Sequence, residues 1–391
     1  MSQSHQFSSI VHQRIQKNTE AEITSVSGPV LFFNPTQALL EKPNNNKQDA
    51  AAGLRMLWRA RDNRKGRHML VVPSHQAKND LPPGFTGTRA VLKGIWRMLT
   101  VYAWWDVSWW IAVLFTIGSA IFVLCGFFYW LPLAAPSTEF HDEALIAGGV
   151  TAFVGATLFT IGGVLLIVEA TNENQTGCFG WALSELFSHT KSDLETGKQD
   201  NRAGPRPADC EHHHANGLHS KGQPQLQHPE SGRKWEWWPS WNELTTHYFR
   251  EIGFWASITE AIGAIIFYIS GIMALPGIYD NTSQPVLWGV YWLAYLIGGI
   301  LFVTASLLYM LEVQPKWYKP APKRIGWWIG TWNLLGSVGW TLSASFGYCS
   351  TSWCGYQSDL SLLWASIAFL IGSALLWYEA MDKHPVKIAK A

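Results

Sequence analysis

The chain has 391 residues, 48% of them hydrophobic and 15% charged, with 23 tryptophans and a formal net charge of +1. That composition excludes an ordinary soluble globular domain. A charge sum near zero identifies no partner, because the placement of charges matters more than their total. The mean hydropathy of +0.03 averages two kinds of sequence. Residues 1 to about 100 and about 172 to 250 are polar, and the remainder carries long apolar runs.

In chain order, residues 1–108 read as a cytoplasmic tail. Its start, MSQSHQFSSIVHQRIQ, has no apolar h-region, so no cleaved signal is expected and the first span directs insertion. Stretches such as KPNNNKQDAAAG read as loop or disorder. RMLWRARDNRKGRH (55–68) and KGIWRMLTVYAWW (93–105) are basic and aromatic, which predicts contact with the bilayer and its anionic headgroups.

Six runs follow that are long enough to cross a hydrocarbon core of about 30 Å. They are Trp109–Leu133, Ala144–Ala170, Gly253–Leu275, Leu287–Leu311, Gly326–Tyr348 and Leu360–Ala380. Between the second and third lies a polar linker (171–252) with Cys210, His212, His213, His214, His219 and His228. No CxxC or fixed His spacing accompanies these residues. A disordered linker is the expected reading, weak metal binding the alternative, and no metal or cofactor site is assigned. At its end Pro239 and Ser240 mark the start of an interfacial helix leading into span three. A basic turn (313–325) and a C-terminal tail (381–391) complete the chain.

The loops APSTEFHDE, PGIYDNTSQPV and CSTSWCGYQSD contain no Lys or Arg, although the chain has 29. The positive-inside rule therefore predicts cytoplasmic N and C termini, in a plasma or internal membrane. Asn281 begins a glycosylation sequon in one outer loop, and Cys349 with Cys354 share another where a disulfide is permitted. Asn174 also heads a sequon but falls on the cytoplasmic side and should stay bare. Cys125, Cys178 and Cys210 are expected to remain reduced.

The spans also repeat. LFTIGGVLLIVEA (158–170), LFVTASLLYMLEV (301–313) and AFLIGSALLWYEA (368–380) align without gaps. Phe159, Phe302 and Phe369 stand ten residues before Glu169, Glu312 and Glu379. In the odd spans Trp110, Trp255 and Trp328 stand eight before Gly118, Gly263 and Gly336, and an aromatic follows four later. The expected fold is all-α: three membrane hairpins, 109–170, 253–312 and 326–380, with polar, partly disordered cytoplasmic segments. The Gly-Ser or Gly-Ala pair followed by an aromatic, then a span of the form LFxxxSxxxL, resembles the YrhK-like membrane hairpin family. The whole chain resembles uncharacterised multi-span membrane proteins of fungi. The resemblance covers about half the chain, implies the hairpin architecture and carries over no activity. At the helix ends the family has basic residues and Pro, whereas this sequence has glutamates.

Those glutamates meet the negative end of a helix macrodipole, which predicts compensating cations. Arg250, Lys323 and Arg324 are the candidates from neighbouring spans. Each glutamate then marks the interface, or the three form an acidic vestibule for cations. Glu260 lies about 10 Å into the third span, where an ionisable group is costly. It either joins helices, with Asn333 as partner, or relays protons or ions. No pattern of catalytic residues runs along a span, so no enzyme is expected. A structural or organising membrane protein is the favoured expectation, without nucleic acid and with protein partners unknown. A proton- or cation-handling transporter is the alternative.

Overall fold

The computed structural model describes residues 22–41, 55–67, 70–72, 88–186 and 235–381, together with a few positions between 6 and 15. The His-containing part of the linker and Cys210 lie outside the described residues. What is described is mostly helical, with one sheet.

The sheet corrects the all-α expectation and, at Glu22–Ser27 and Gln37–Glu41, the reading of the tail as loop, whereas KPNNNKQDAAAG (42–53) lies outside the described residues. Strands β1 (Glu22–Ser27), β2 (Gln37–Glu41), β3 (Arg55–Arg59) and β4 (Leu70–Val72) form an antiparallel meander in sequence order. In β2 and β3 alternate side chains, Ala38, Leu40, Met56 and Trp58, point to one face. There they pack with Val11, Ile15 and Ala60 in a small separate core. The runs QALLE and RMLWR carry this period-2 signal over only five residues each, too briefly to stand out beside the longer apolar runs. Directly after β3 comes a five-residue helix, α1 (Ala60–Arg64). Gly66, at a φ of +60°, takes the left-handed conformation just beyond it and ends the turn.

Helix α2 (Thr88–Thr100) precedes the apolar part. The long helices are α3 (Val107–Ala134), α4 (Gly149–Thr171), α6 (Ile252–Met273), α7 (Leu293–Val313), α8 (Ile325–Phe346) and α9 (Ser352–Met381). A short helix, α5 (Trp241–Thr246), sits before α6. Single π-helical turns, Glu143–Gly148 and Leu287–Trp292, lead into α4 and α7. With those lead-in turns included, five of the six are long and apolar enough to cross a membrane. Helix α8 falls short by composition, because Thr331, Asn333, Ser337, Thr341, Ser343 and Ser345 dilute its apolar content. Helix α9 begins at Ser352, a full two turns before the expected Leu360, so Cys354 already lies in its first turn.

The long helices close into a ring. Each packs on its two neighbours in the order α3, α4, α6, α7, α8, α9, and α9 returns to α3. One aromatic from each helix fills the axis: Phe122, Phe159, Phe267, Phe302, Trp340 and Phe369 are all buried. Phe267 stacks on Trp340 at 4.9 Å, and Phe369 lies 4.3 Å from the same indole. Outward-facing Ile, Leu and Val such as Ile117, Ile161, Ile265, Ile300, Leu342 and Ile371 remain exposed. A bundle apolar on its outside as well as its inside suits a lipid solvent.

Glycines set three of the close approaches. A Cβ on Gly118 would lie 2.8 Å from the Phe159 ring, on Gly263 3.2 Å from Phe302, and on Gly336 2.5 Å from Phe369. The Trp residues eight positions earlier share a further feature. Trp110, Trp255 and Trp328 each donate an indole N–H to the carbonyl six residues before, at 2.7, 3.0 and 2.8 Å.

Candidate functional site: a charged cap over a small cavity

Helix α1 places its cations by simple periodicity. Arg61, Arg64 and Lys65 stand at i, i+3 and i+4, so one face of a single turn carries all three. That face enters the end of the bundle where α4, α7 and α9 finish, and meets Glu169, Glu312 and Glu379. Arg61 forks onto Glu379, with Nε to Oε1 at 3.1 Å and Nη2 to Oε2 at 2.8 Å. Arg64 forks onto Glu312 at 3.1 and 2.9 Å, and its Nη1 donates to Glu169 at 2.5 Å. Lys65 Nζ lies 3.6 Å from Glu169 and 3.7 Å from Glu379. Ser108 Oγ also donates to Glu169, and Arg67 approaches Glu379 at 3.4 Å.

All six central side chains are buried, three cations against three carboxylates. Such a balance is what makes the arrangement tolerable: a desolvated charge is costly unless paired and hydrogen-bonded. Burial pulls the Arg61 and Arg64 guanidiniums down, and the carboxylates more than offset this, so both end above the ordinary arginine value. At Lys65 burial prevails over Glu169 and Glu379, and the ammonium ends below the ordinary lysine value.

These partners correct the expected ones. Arg324 donates to the Val313 carbonyl at 2.6 Å and to Gln37 at 3.0 Å, and among the described residues no ion pair joins it to Glu169, Glu312 or Glu379. The role of Arg250 is through its backbone carbonyl, which accepts from the Asn34 amide at 2.8 Å. No ion pair between Lys323 and these glutamates is seen among the described residues. Nor do Arg61, Arg64 and Lys65, from a segment expected to meet lipid headgroups, lie at a surface. A signal was present: RDNRK has the spacing of a cationic helical face, matched by three glutamates at repeated offsets.

Further contacts fasten the N-terminal module around the same rim. Asn34 Nδ2 donates to Glu251 at 2.6 Å, and Asn63 Nδ2 to Glu173 at 3.1 Å. Gln37 reaches the Val313 carbonyl at 3.3 Å. Burial, then the neighbouring Glu173, push the Glu251 carboxyl up to about 7, with His247 and Asn34 acting the other way. Helix α5 nearby begins at Ser240 with a full capping box to Glu243.

Below the cap lies a small cavity of about 40 Å³, room for roughly two or three waters. Its walls carry Glu260, Asn333, Tyr309, Ser119 and Ser373 among Phe115, Phe159, Leu166, Ile329, Phe369 and Leu376. Glu260 and Asn333 thus face one space, but no hydrogen bond joins them. Arg64 sits over the Tyr309 ring, 5.3 Å from its centre. The aromatic cluster around Trp340 fills the axis next to the cavity.

At the other end of the bundle, Cys349 and Cys354 stand 2.12 Å apart, sulfur to sulfur, at disulfide distance. Asn281 is exposed, its Nδ2 donating to the Gly277 carbonyl at 3.0 Å. Among the described residues no group of three or more His, Cys, Asp or Glu is placed to hold a metal. No protein-family model matches the chain, and neither does a curated protein or a solved structure.

Proposed function

We propose that the chain is a non-enzymatic, organising protein of a plasma or internal membrane. Three YrhK-like hairpins cross the bilayer six times, with both termini in the cytosol. The observation that carries this reading is the filled axis. Six aromatic side chains close the bundle at mid-height, and the ion pairs of α1 close one end. A solid bundle with a docked polar module suits holding other molecules in place better than passing them through.

Several observations support the finer architecture. The equivalent glycines meet equivalent phenylalanines, and the three indoles make the same backbone bond. The sixth span is supported by α8, which is 22 residues long and exposes Leu335, Val338 and Leu342 outward. Polar atoms on α8 turn inward or back onto the helix: Ser337 bonds the Asn333 carbonyl and Thr341 the Ser337 carbonyl. Cytosolic termini are supported by the loop set free of Lys and Arg, and glycosylation of Asn281 fits the same sidedness.

Glu260 supports a second reading, in which the protein handles protons or cations. A carboxyl facing a largely apolar cavity among spans is costly for a scaffold alone. Reconstitution into vesicles separates the two. The organising reading expects no proton or monovalent-cation flux above that of empty vesicles. A flux that disappears in Glu260→Gln would overturn it in favour of the second.

A further inference from the structure

Trp110, Trp255 and Trp328 stand in the first turns of α3, α6 and α8, at the cap end of the bundle, and bond the carbonyls of Trp104, Phe249 and Pro322. Indoles collect at the headgroup level of a bilayer, so these three mark where lipid would end around the mouth. Two segments outside the bundle leave apolar side chains uncovered at that level. Helix α2 ends four residues before Trp104 and has three distinct sides. On one, Gly94 lies against the Tyr378 ring of α9 with no room for a Cβ, and Met98 packs against the cluster holding Trp109 and Met381. On the second, Leu92, Ile95, Trp96 and Leu99 are exposed. Along the third, Arg89, Lys93 and Arg97 follow at four-residue steps, and the helix has no Asp or Glu.

The other segment is the β1–β2 loop, whose Leu31 and Phe32 are 58% and 73% exposed. Two residues on, the Asn34 amide bonds the Arg250 carbonyl at 2.8 Å, one residue beyond the Phe249 carbonyl that takes Trp255. That bond holds the loop tip at the level of the indoles. Nothing local in GPVLFFNP marks a surface anchor; only the fold sets it beside α6.

We propose that the leaflet at the cap end is a ligand of the N-terminal region: α2 lies in its plane and selects anionic phospholipid, and the Leu31–Phe32 tip enters it as a second anchor. The proposal rests on the membrane-spanning reading and deepens it by naming the lipid class and the residues that meet it. A helix apolar on one side, cationic on the next and pinned to the rim on the third has the form of one lying in a bilayer surface. Its leucines, Ile95 and Trp96 meet the upper acyl chains, and Arg89 and Lys93 meet headgroup phosphates and carboxylates. Placement favours lipid over a protein partner. Helix α2 lies against α9 and the loop beside α6, with two helices of the ring between them either way round. One flat, continuous occupant reaches both. The tip also shares its module with α1, so lipid that seats the tip helps keep the α1 cations over their glutamates.

The test uses the full-length chain in vesicles, with an environment-sensitive dye on one introduced thiol in a Cys210→Ser background, where Cys125 and Cys178 are buried. Leu92→Cys and Phe32→Cys report on the two anchors and Ile161→Cys on the outer face of α4; all three side chains are exposed. Nitroxide lipids, with the quencher near the headgroup or deep in the acyl chain, give the readout. The dyes at Leu92 and Phe32 should both be quenched. Replacing about a third of the phosphatidylcholine by phosphatidylserine should raise quenching at Leu92 about twofold. Arg89→Glu with Lys93→Glu should abolish that rise. A water-exposed, unquenched dye at Leu92 or Phe32 sinks the proposal, and so does a rise that survives the charge reversal. A dye shielded from both water and nitroxide also sinks it, by assigning the patch to a protein contact. Quenching at Ile161 with none at Leu92 and Phe32 refutes this proposal alone, whereas no quenching at Ile161 refutes the spanning reading beneath it.

Discussion

Arg64 touches two of the three buried glutamates and the Tyr309 ring, so its removal strands the most charge. Arg64→Ala leaves Glu169 and Glu312 short of their main counter-ion, and breaking a buried pair costs about 3–5 kcal/mol. The variant should unfold at markedly lower temperature. Combining it with Glu312→Gln should recover part of the loss, and strictly additive losses would show that the pair does not interact. Glu251 gives a pH dependence of definite sign. Its folded value of about 7 lies above the unfolded one, and the groups facing it are Glu173, Glu312, His247 and Asn34. Below about pH 4.5 it is protonated in both states, and its contribution is fully present. That contribution is lost as pH rises through about 7, where a buried anion must form beside two others. Melting temperature should fall between pH 5 and 8, and Glu251→Gln should flatten the slope.

Among the elements, the hairpins rest on close approaches that a longer side chain would block. Gly336→Leu puts a branched chain where Phe369 already lies 2.5 Å from a notional Cβ. Overpacking of this kind costs about 1–3 kcal/mol or more. Gly289, with nothing within 4 Å, offers a control at which Leu should be nearly neutral. A melt in which the two substitutions behave alike would contradict the packing. These helices were legible in advance because an apolar run of about 20 residues carries its own signal. Fixed Trp, Gly and Glu offsets likewise marked which residues would share an environment. Strands β2 and β3 were not legible, since five residues of alternation in a charged stretch resemble a basic tail. Helix α1 showed only the cationic spacing of RDNRK: a five-residue turn has no stability of its own and exists because its cationic face is held by the bundle.

For the whole molecule, sidedness and closure are the testable features. A reporter fused after His384 should be cytosolic, and glycosidase treatment should shift a chain that carries sugar on Asn281. A luminal reporter would reverse the assigned orientation. Non-reducing electrophoresis with thiol alkylation should find Cys349 and Cys354 blocked and Cys125 free under denaturing conditions.

The sequence by itself determined that long apolar helices could cross a membrane and where three carboxylates recur. Those features are local or periodic, and hydrophobicity expresses them without any distant partner. Only the tertiary structure decided what answers the carboxylates. The cations come from a module 105 residues from Glu169, 248 from Glu312 and 318 from Glu379. No local rule links such separations. Arg324 beside α8 stands closer in sequence to Glu312, yet the folded module delivers better geometry: forked guanidiniums at the end of the bundle. Charge pairing at a buried mouth goes to whichever cation can be held there dry and in plane, and that is settled by the fold.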